Sequence, residues 1–182
     1  MPLLVILGAI ILIGLYIWSL YNGLVSSKMR VDESWSGIDV QLKRRSSLIP
    51  NLVETVKGYA AHESGVFTKV TEARAALMSA DSPAAAAEAN NVLTGALKSL
   101  FAVAENYPEL KANDNFKALQ GDLSDTEDKV AYSRSFYNSN VLDFNTKIKV
   151  FPAVLLVGLL GFKEYAFFKA GEEEKADVKV SF

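Results

Sequence analysis

Few side chains in this 182-residue sequence could carry out chemistry, and they are scattered. His62 is the single histidine, in Ala61-His62-Glu63-Ser64-Gly65, and no partner histidine follows at the spacing a zinc protease needs. There is no cysteine, which excludes a thiol nucleophile, a disulfide and a lipid-modified cysteine. Asp122, Asp125, Glu127 and Asp128 form an acidic run. Carboxylates at i, i+3 and i+6 drift around a helix instead of converging, and the run lacks the glycine of a calcium loop. The eleven glycines are dispersed and make no phosphate-cradling loop. Chemistry near neutral pH needs a tuned acid or base, an activated nucleophile or a metal. The expectation is therefore no catalytic residue, no metal, no cofactor and no enzyme.

Lys43-Arg44-Arg45 is the densest basic cluster, but Asp32, Glu33, Asp39 and Glu54 surround it, and the net charge is only −2. That balance lacks the electrostatic footprint of a nucleic-acid binder, so no nucleic-acid partner is expected. A mixed-charge, solvated helix face accounts for Lys43 and Arg44. Arg45 needs a separate explanation, which comes from the elements that must hold these residues.

Met1 to Ser27 carry no charged side chain, and the core of that stretch reads LLVILGAIILIGLYIWSLY. About 20 apolar residues in a helix match the roughly 30 Å hydrocarbon layer of a bilayer. Leu3, Ile10 and Leu15 would face lipid, with Trp18 and Tyr21 in an aromatic belt at the far end. No basic residue precedes the run, so it reads as an uncleaved anchor over 1–25 and not as a signal peptide. Lys28 and Arg30 follow it, which places the body in the cytoplasm by the positive-inside rule.

The body reads as helices. Stepping alternately four and three residues from Val31 meets Trp35, Ile38, Leu42, Arg45, Ile49, Leu52, Val56, Tyr59, Glu63, Val66, Val70, Ala73 and Leu77. Such a seam belongs to a helix in a left-handed bundle. It is predicted to run through Pro50 with a kink, and to turn Trp35 and Tyr59 into the core. Arg45 and Glu63 break the apolar series. They lie about 27 Å apart along one helix, so each needs a partner on another element.

Ser82-Pro83 predicts a helix start, and Pro108 its end in the loop 107–113. Asn113 predicts the next cap, followed by a seam from Phe116 through Leu123, Val130, Tyr137 and Phe144 to Phe151. The apolar stretch 152–162 is too short to span a membrane, and a buried core helix is expected there, with an interfacial segment as the alternative. A charged tail, 171–182, closes on Val178-Lys179-Val180-Ser181-Phe182, an apolar-x-apolar terminus of the kind that strand-adding peptide domains capture. The expected architecture is all-α: a transmembrane helix (1–25), an elongated antiparallel helical bundle (26–170) and the tail.

Several longer segments are similar to the LemA family. They include Tyr21-Asn22-Gly23-Leu24-Val25, Val31-Asp32-Glu33-Ser34-Trp35-Ser36, Ile38 to Arg45, Leu48-Ile49-Pro50-Asn51-Leu52-Val53-Glu54-Thr55-Val56-Lys57-Gly58-Tyr59, Glu105 to Asn113 and Phe151-Pro152. The resemblance covers nearly the whole chain. It implies a bacterial membrane protein with one N-terminal span and a helical bundle, and no established activity. Some members are linked to membrane-organelle formation or stress.

The expected function is thus a scaffold or interaction protein of the bacterial inner membrane. The lipid bilayer is its partner through 1–25, with protein partners unspecified and self-association among them. Arg45, Glu63, Val178, Val180 and Phe182 are the candidate interaction residues. A membrane-remodelling accessory is the alternative and would expose an apolar patch in 152–168. A membrane-bound hydrolase is the third reading and would need convergent carboxylates.

Overall fold

A computed structural model describes residues 2–169. Among them every regular element is helical: α1 (Pro2–Lys57), α2 (Ser64–Met78), α3 (Pro83–Ala104), α4 (Pro108–Ala112), α5 (Asp114–Lys149) and α6 (Val154–Leu160). The all-α expectation is met, and no strand occurs among the described residues.

α1 is one unbroken helix that changes character along its length. From Leu3 to Tyr21 nearly all of its side chains are exposed, as a lipid-facing helix requires. From Leu24 onward a stripe is buried through Val31, Ile38, Leu42, Ile49, Leu52 and Val56. α5 packs along this stripe in antiparallel sense. Contacts pair Ser27 with Asp143, Arg45 with Glu127 and Tyr59 with Asn113, so the register holds over the whole length. α2 and α3 form a hairpin on the distal half of α1.

The caps read from sequence are present. Ser82 accepts a hydrogen bond from Ala85 N–H at 3.3 Å, with Pro83 opening α3, and Asn113 accepts from Phe116 N–H at 3.1 Å. Four expectations are corrected. The seam of α1 ends at Lys57, and residues 58–63 turn the chain into α2. Tyr59 lies in that turn and is 39% exposed, accepting a hydrogen bond from Asn113 at its rim. The loop after α3 holds the short helix α4. In the fourth case, α6 buries no residue and Phe151 is exposed, so the apolar stretch is not a core helix.

Pro50 sits inside α1 without breaking it, and the reason lies on α2. Proline has no N–H to offer the carbonyl four residues back, here that of Ser46. Arg74 Nε of α2 donates to that carbonyl at 2.8 Å. The bond replaces what the proline removed and fastens α2 to α1.

Beyond α6, residues 162–169 run as an extended strap back along α5. Asn145 and Asn138 hold it, each with a pair of bonds. Asn145 accepts from Tyr165 N–H and donates to Tyr165 C=O, at 3.0 and 2.9 Å. Asn138 does the same with Phe168, at 2.9 and 3.0 Å. Seven helical residues rise about 10.5 Å, and three extended residues cover about 10 Å, so the two spacings match. The strap seats Phe168 against Trp35, which is half-buried and also meets Tyr137 edge-on.

The Pro50–Arg74 arrangement makes a double-mutant prediction. Arg74→Met should lower the stability of the body by about 1–2 kcal/mol, because it strands the Ser46 carbonyl. In a Pro50→Ala background, where the helix supplies its own N–H, the same change should cost much less. Equal melting shifts in the two backgrounds would refute the account.

Candidate functional site

Arg45 occupies a core position of α1 and is 2% exposed. A guanidinium withdrawn from water needs hydrogen-bonded partners. Two other helices provide them. Asn90 of α3 accepts from Arg45 Nη1 at 2.7 Å, and Glu127 of α5 forms an ion pair with Nη2. One side chain thus ties three helices together. Glu127 is drawn out of the acidic run for this role, while Asp122, Asp125 and Asp128 stay exposed along α5.

Beside this pair a cleft of about 470 Å³ opens between α3 and α5. Leu97, Phe101, Leu123 and Val130 give it an apolar floor, and Arg45, Lys98, Arg134 and Glu127 supply charge. Cations outnumber the carboxylate three to one along this lining. Such a lining suits electrostatic fixing of helices or of an anionic group. It does not bring carboxylates together as acid and base, the arrangement a hydrolase reading needs.

The other candidates lie apart. His62 is exposed in the turn 58–63. Glu63 has left the seam and caps α2, where its carbonyl accepts from Val66 and Phe67 N–H. Val178, Val180 and Phe182 lie outside the described residues. Leu3, Ile10, Leu15, Trp18 and Tyr21 are all exposed on the proximal third of α1. That helix is long and apolar enough to cross a membrane.

A second polar cluster lies just beyond the anchor. Ser27 donates to Asp143 at 2.8 Å, and Lys147 donates to the same carboxylate at 2.7 Å. The Lys147 bond, more than that from Ser27, holds the Asp143 carboxyl below its ordinary range, against the opposing effect of burial. Tyr165, on the strap, donates to Asp32 at 2.6 Å. Burial first, and the Asp32 bond second, raise its phenol. Lys28 is raised by its hydrogen bonds with Asp32 and then Tyr165. Tyr137, which donates to the Ala166 carbonyl at 3.0 Å, is pushed up to about 12 by burial.

Sequence reasoning missed Asn90, Asn138, Asn145 and Arg74. The first three carried a signal in hindsight: asparagine next to a core stripe is costly to bury unless its amide is fully used.

The sequence profile described as LemA family matches residues 34–182. The chain belongs to the LemA family. Among curated relatives it is 29% identical to protein LemA of Metamycoplasma hominis over 164 residues, which cover 88% of this chain and 74% of that protein. It is 26% identical to the magnetosome protein MamQ of Magnetospirillum gryphiswaldense, over 81% of this chain and 64% of the relative. It is likewise 26% identical to magnetosome protein MamQ 2 of Paramagnetospirillum magneticum, over 82% and 64%. The chain therefore spans just under two thirds of these MamQ relatives. Membership in the LemA family and the apolar α1 together make this a membrane-associated protein of that family.

Two predictions follow from these geometries. Glu127→Ala leaves a buried guanidinium without its carboxylate and should cost up to about 3 kcal/mol, while Arg45→Met with Glu127→Leu and Asn90→Leu, which removes all three polar partners together, should melt close to the unaltered protein. A triple variant as unstable as the single one would show that the polar cluster itself is indispensable. The second prediction concerns alkali. Tyr137 has a folded value of about 12 against an ordinary value near 10. The stability it contributes is complete below about pH 10 and is lost as pH rises from there to about 12. Tyr137→Phe should start less stable and show a shallower decline over that interval in pH-dependent unfolding. Parallel declines would contradict the assignment.

Proposed function

We propose that this LemA-family protein is a membrane-anchored helical scaffold that presents binding faces to protein partners, itself among them, at a set height above the bilayer, and that it catalyses no reaction. The observation that carries this reading is the continuity of α1 from the anchor into the bundle core. A hinge at the membrane would let the body swing, whereas an unbroken helix braced by α5 fixes its distance. The face best suited to a partner lies on α5, where Tyr132 and Phe136 are exposed one turn apart. Val40, also exposed, stands on α1 at the level of Tyr132, five residues nearer the membrane than the Arg45–Glu127 pair. Fifteen residues beyond position 25 correspond to about 22 Å. Exposed aromatics are favoured anchors of protein interfaces.

The membrane we assign is the bacterial inner membrane, with the body on the cytoplasmic side, because Lys28 and Arg30 follow the anchor and no basic residue precedes it. A second reading, an accessory that shapes the membrane itself, is favoured by the exposed apolar side chains between Val150 and Leu159. The magnetosome proteins among its relatives support a role at a membrane in either case.

Photo-crosslinking of the full-length protein in its membrane tests the scaffold reading. A crosslinker at Tyr132 or Phe136 should give a discrete adduct, with a second copy or another protein, that disappears when the other aromatic is changed to serine. Crosslinking no different from that at an exposed lysine such as Lys117 would refute it. So would hydrolytic turnover of the purified protein that is lost on His62→Ala or Asp125→Asn. In intact cells, protection of Lys117→Cys, an exposed position away from that face, from an impermeant thiol reagent is the expected sign of a cytoplasmic body.

A further inference from the structure

The antiparallel register sets how close α5 comes to the membrane. Ser27 meets Asp143. Six residues further along α5 bring Lys149 level with Tyr21, six residues before Ser27 on α1. The chain continues past this level, turns through α6, and comes back as the strap. Gly161, with φ of 75°, ends α6 in a left-handed conformation that lets Phe162 N–H reach back to the Val157 carbonyl at 3.2 Å. Phe162 then lies with its ring centre 6.0 Å from that of Tyr21. The tip of this excursion is thus beside the C-terminal end of the apolar part of α1.

The composition of the tip is unusual for a surface. From Val150 to Phe162 there is no charged or hydrogen-bonding side chain. Phe151 is 78%, Leu155 71% and Leu159 87% exposed. Lys149 and Lys163 bracket the stretch, and Lys149 pairs with Glu164 at 2.7 Å. An apolar tip closed by a charged collar is the pattern of an element that enters the headgroup–acyl boundary to a depth of about 5–10 Å.

We propose that residues 150–161 are a second membrane contact, a short wedge that seats in the leaflet from which α1 emerges. The body is then fastened to the bilayer at two adjacent points, by a span and by a wedge. The proposal rests on the membrane-anchor reading above and adds a second lipid-facing element to it. Lipid is the occupant because the patch is continuous with the anchor through Tyr21 and Phe162. A second protein copy covering it would itself have to lie in the lipid layer. The wedge does not span, because seven helical residues rise only about 10 Å, against roughly 30 Å of hydrocarbon. The paired bonds from Asn145 and Asn138 return the chain to the body and limit how far the tip can move.

The sequence has no cysteine, so single labels can be placed without background. The full-length protein is reconstituted in vesicles of phosphatidylcholine and phosphatidylglycerol. An environment-sensitive fluorophore is attached in turn at Leu155→Cys, Leu159→Cys, Ile10→Cys and Tyr132→Cys. All four positions are exposed, so the substitutions spare the core. Quenching by spin-labelled lipid is compared with quenching by aqueous iodide. The expected result is that 155 and 159 resemble 10, with lipid quenching several-fold above that at 132 and little iodide quenching. If 155 and 159 resemble 132 while 10 is quenched by lipid, the wedge is overturned and the anchor stands. If 10 also escapes lipid quenching, the anchor reading fails and the wedge with it. Protection of 155 and 159 from both quenchers would overturn the proposal in favour of a protein cover, such as a second copy.

Discussion

A single helix has to satisfy two media. Along its first third α1 is apolar all round, as a helix in hydrocarbon must be, with its backbone groups satisfied internally. Beyond Leu24 the same helix carries a narrow apolar stripe for a protein core. Because the transition occurs without a break, every other element takes its position relative to the bilayer from α1. α5 packs against the stripe along its whole length, α2 and α3 brace the distal half, and the strap closes on the proximal half.

A smooth apolar stripe would allow α5 to slip by a turn, and polar contacts prevent this. Ser27–Asp143 near the membrane and Arg45–Asn90–Glu127 in the middle are each satisfied in one register only. Buried polar groups add little net stability but penalise misalignment heavily, since a slipped charge loses its partner and does not regain water. The asparagine pairs to Tyr165 and Phe168 apply the same logic to the strap, which has no helix of its own to define its position. Pro50 is a related case in which a local defect of α1 is compensated by Arg74 and thereby becomes a joint between two helices.

These registers bear on the proposed function. On the scaffold reading, a body locked to a continuous helix cannot tilt freely about its tether, and the proposed wedge would restrain it further. On that reading the surfaces offered to partners are the outward faces of α1 and α5, at a height set by helix rise. The charge-lined cleft near Arg45 lies at a similar distance from the membrane, between α3 and α5.

Much of this was legible from residue order. Uniform apolarity over some twenty residues identifies an anchor, a 3.5-residue stripe identifies bundle helices, and Ser82-Pro83 and Asn113 mark helix starts, because each depends on groups only a few residues apart. The need of Arg45 for a partner was also legible, since a charge on a core stripe must be compensated. Which partner was not, because Asn90 and Glu127 are distant in sequence and only packing makes them neighbours. The end of the first seam at Lys57 was missed for a similar reason: the apolar period resumes in phase on α2, so periodicity alone could not reveal the turn. Residues 150–162 show the division most clearly. Their apolarity is plain in the sequence, and it is equally compatible with a core helix and with a lipid-facing tip. The tertiary structure excluded the core helix, because the length of α5 carries α6 to the end of the bundle, where Val157 and Phe162 still touch the core but Phe151, Leu155 and Leu159 are left exposed.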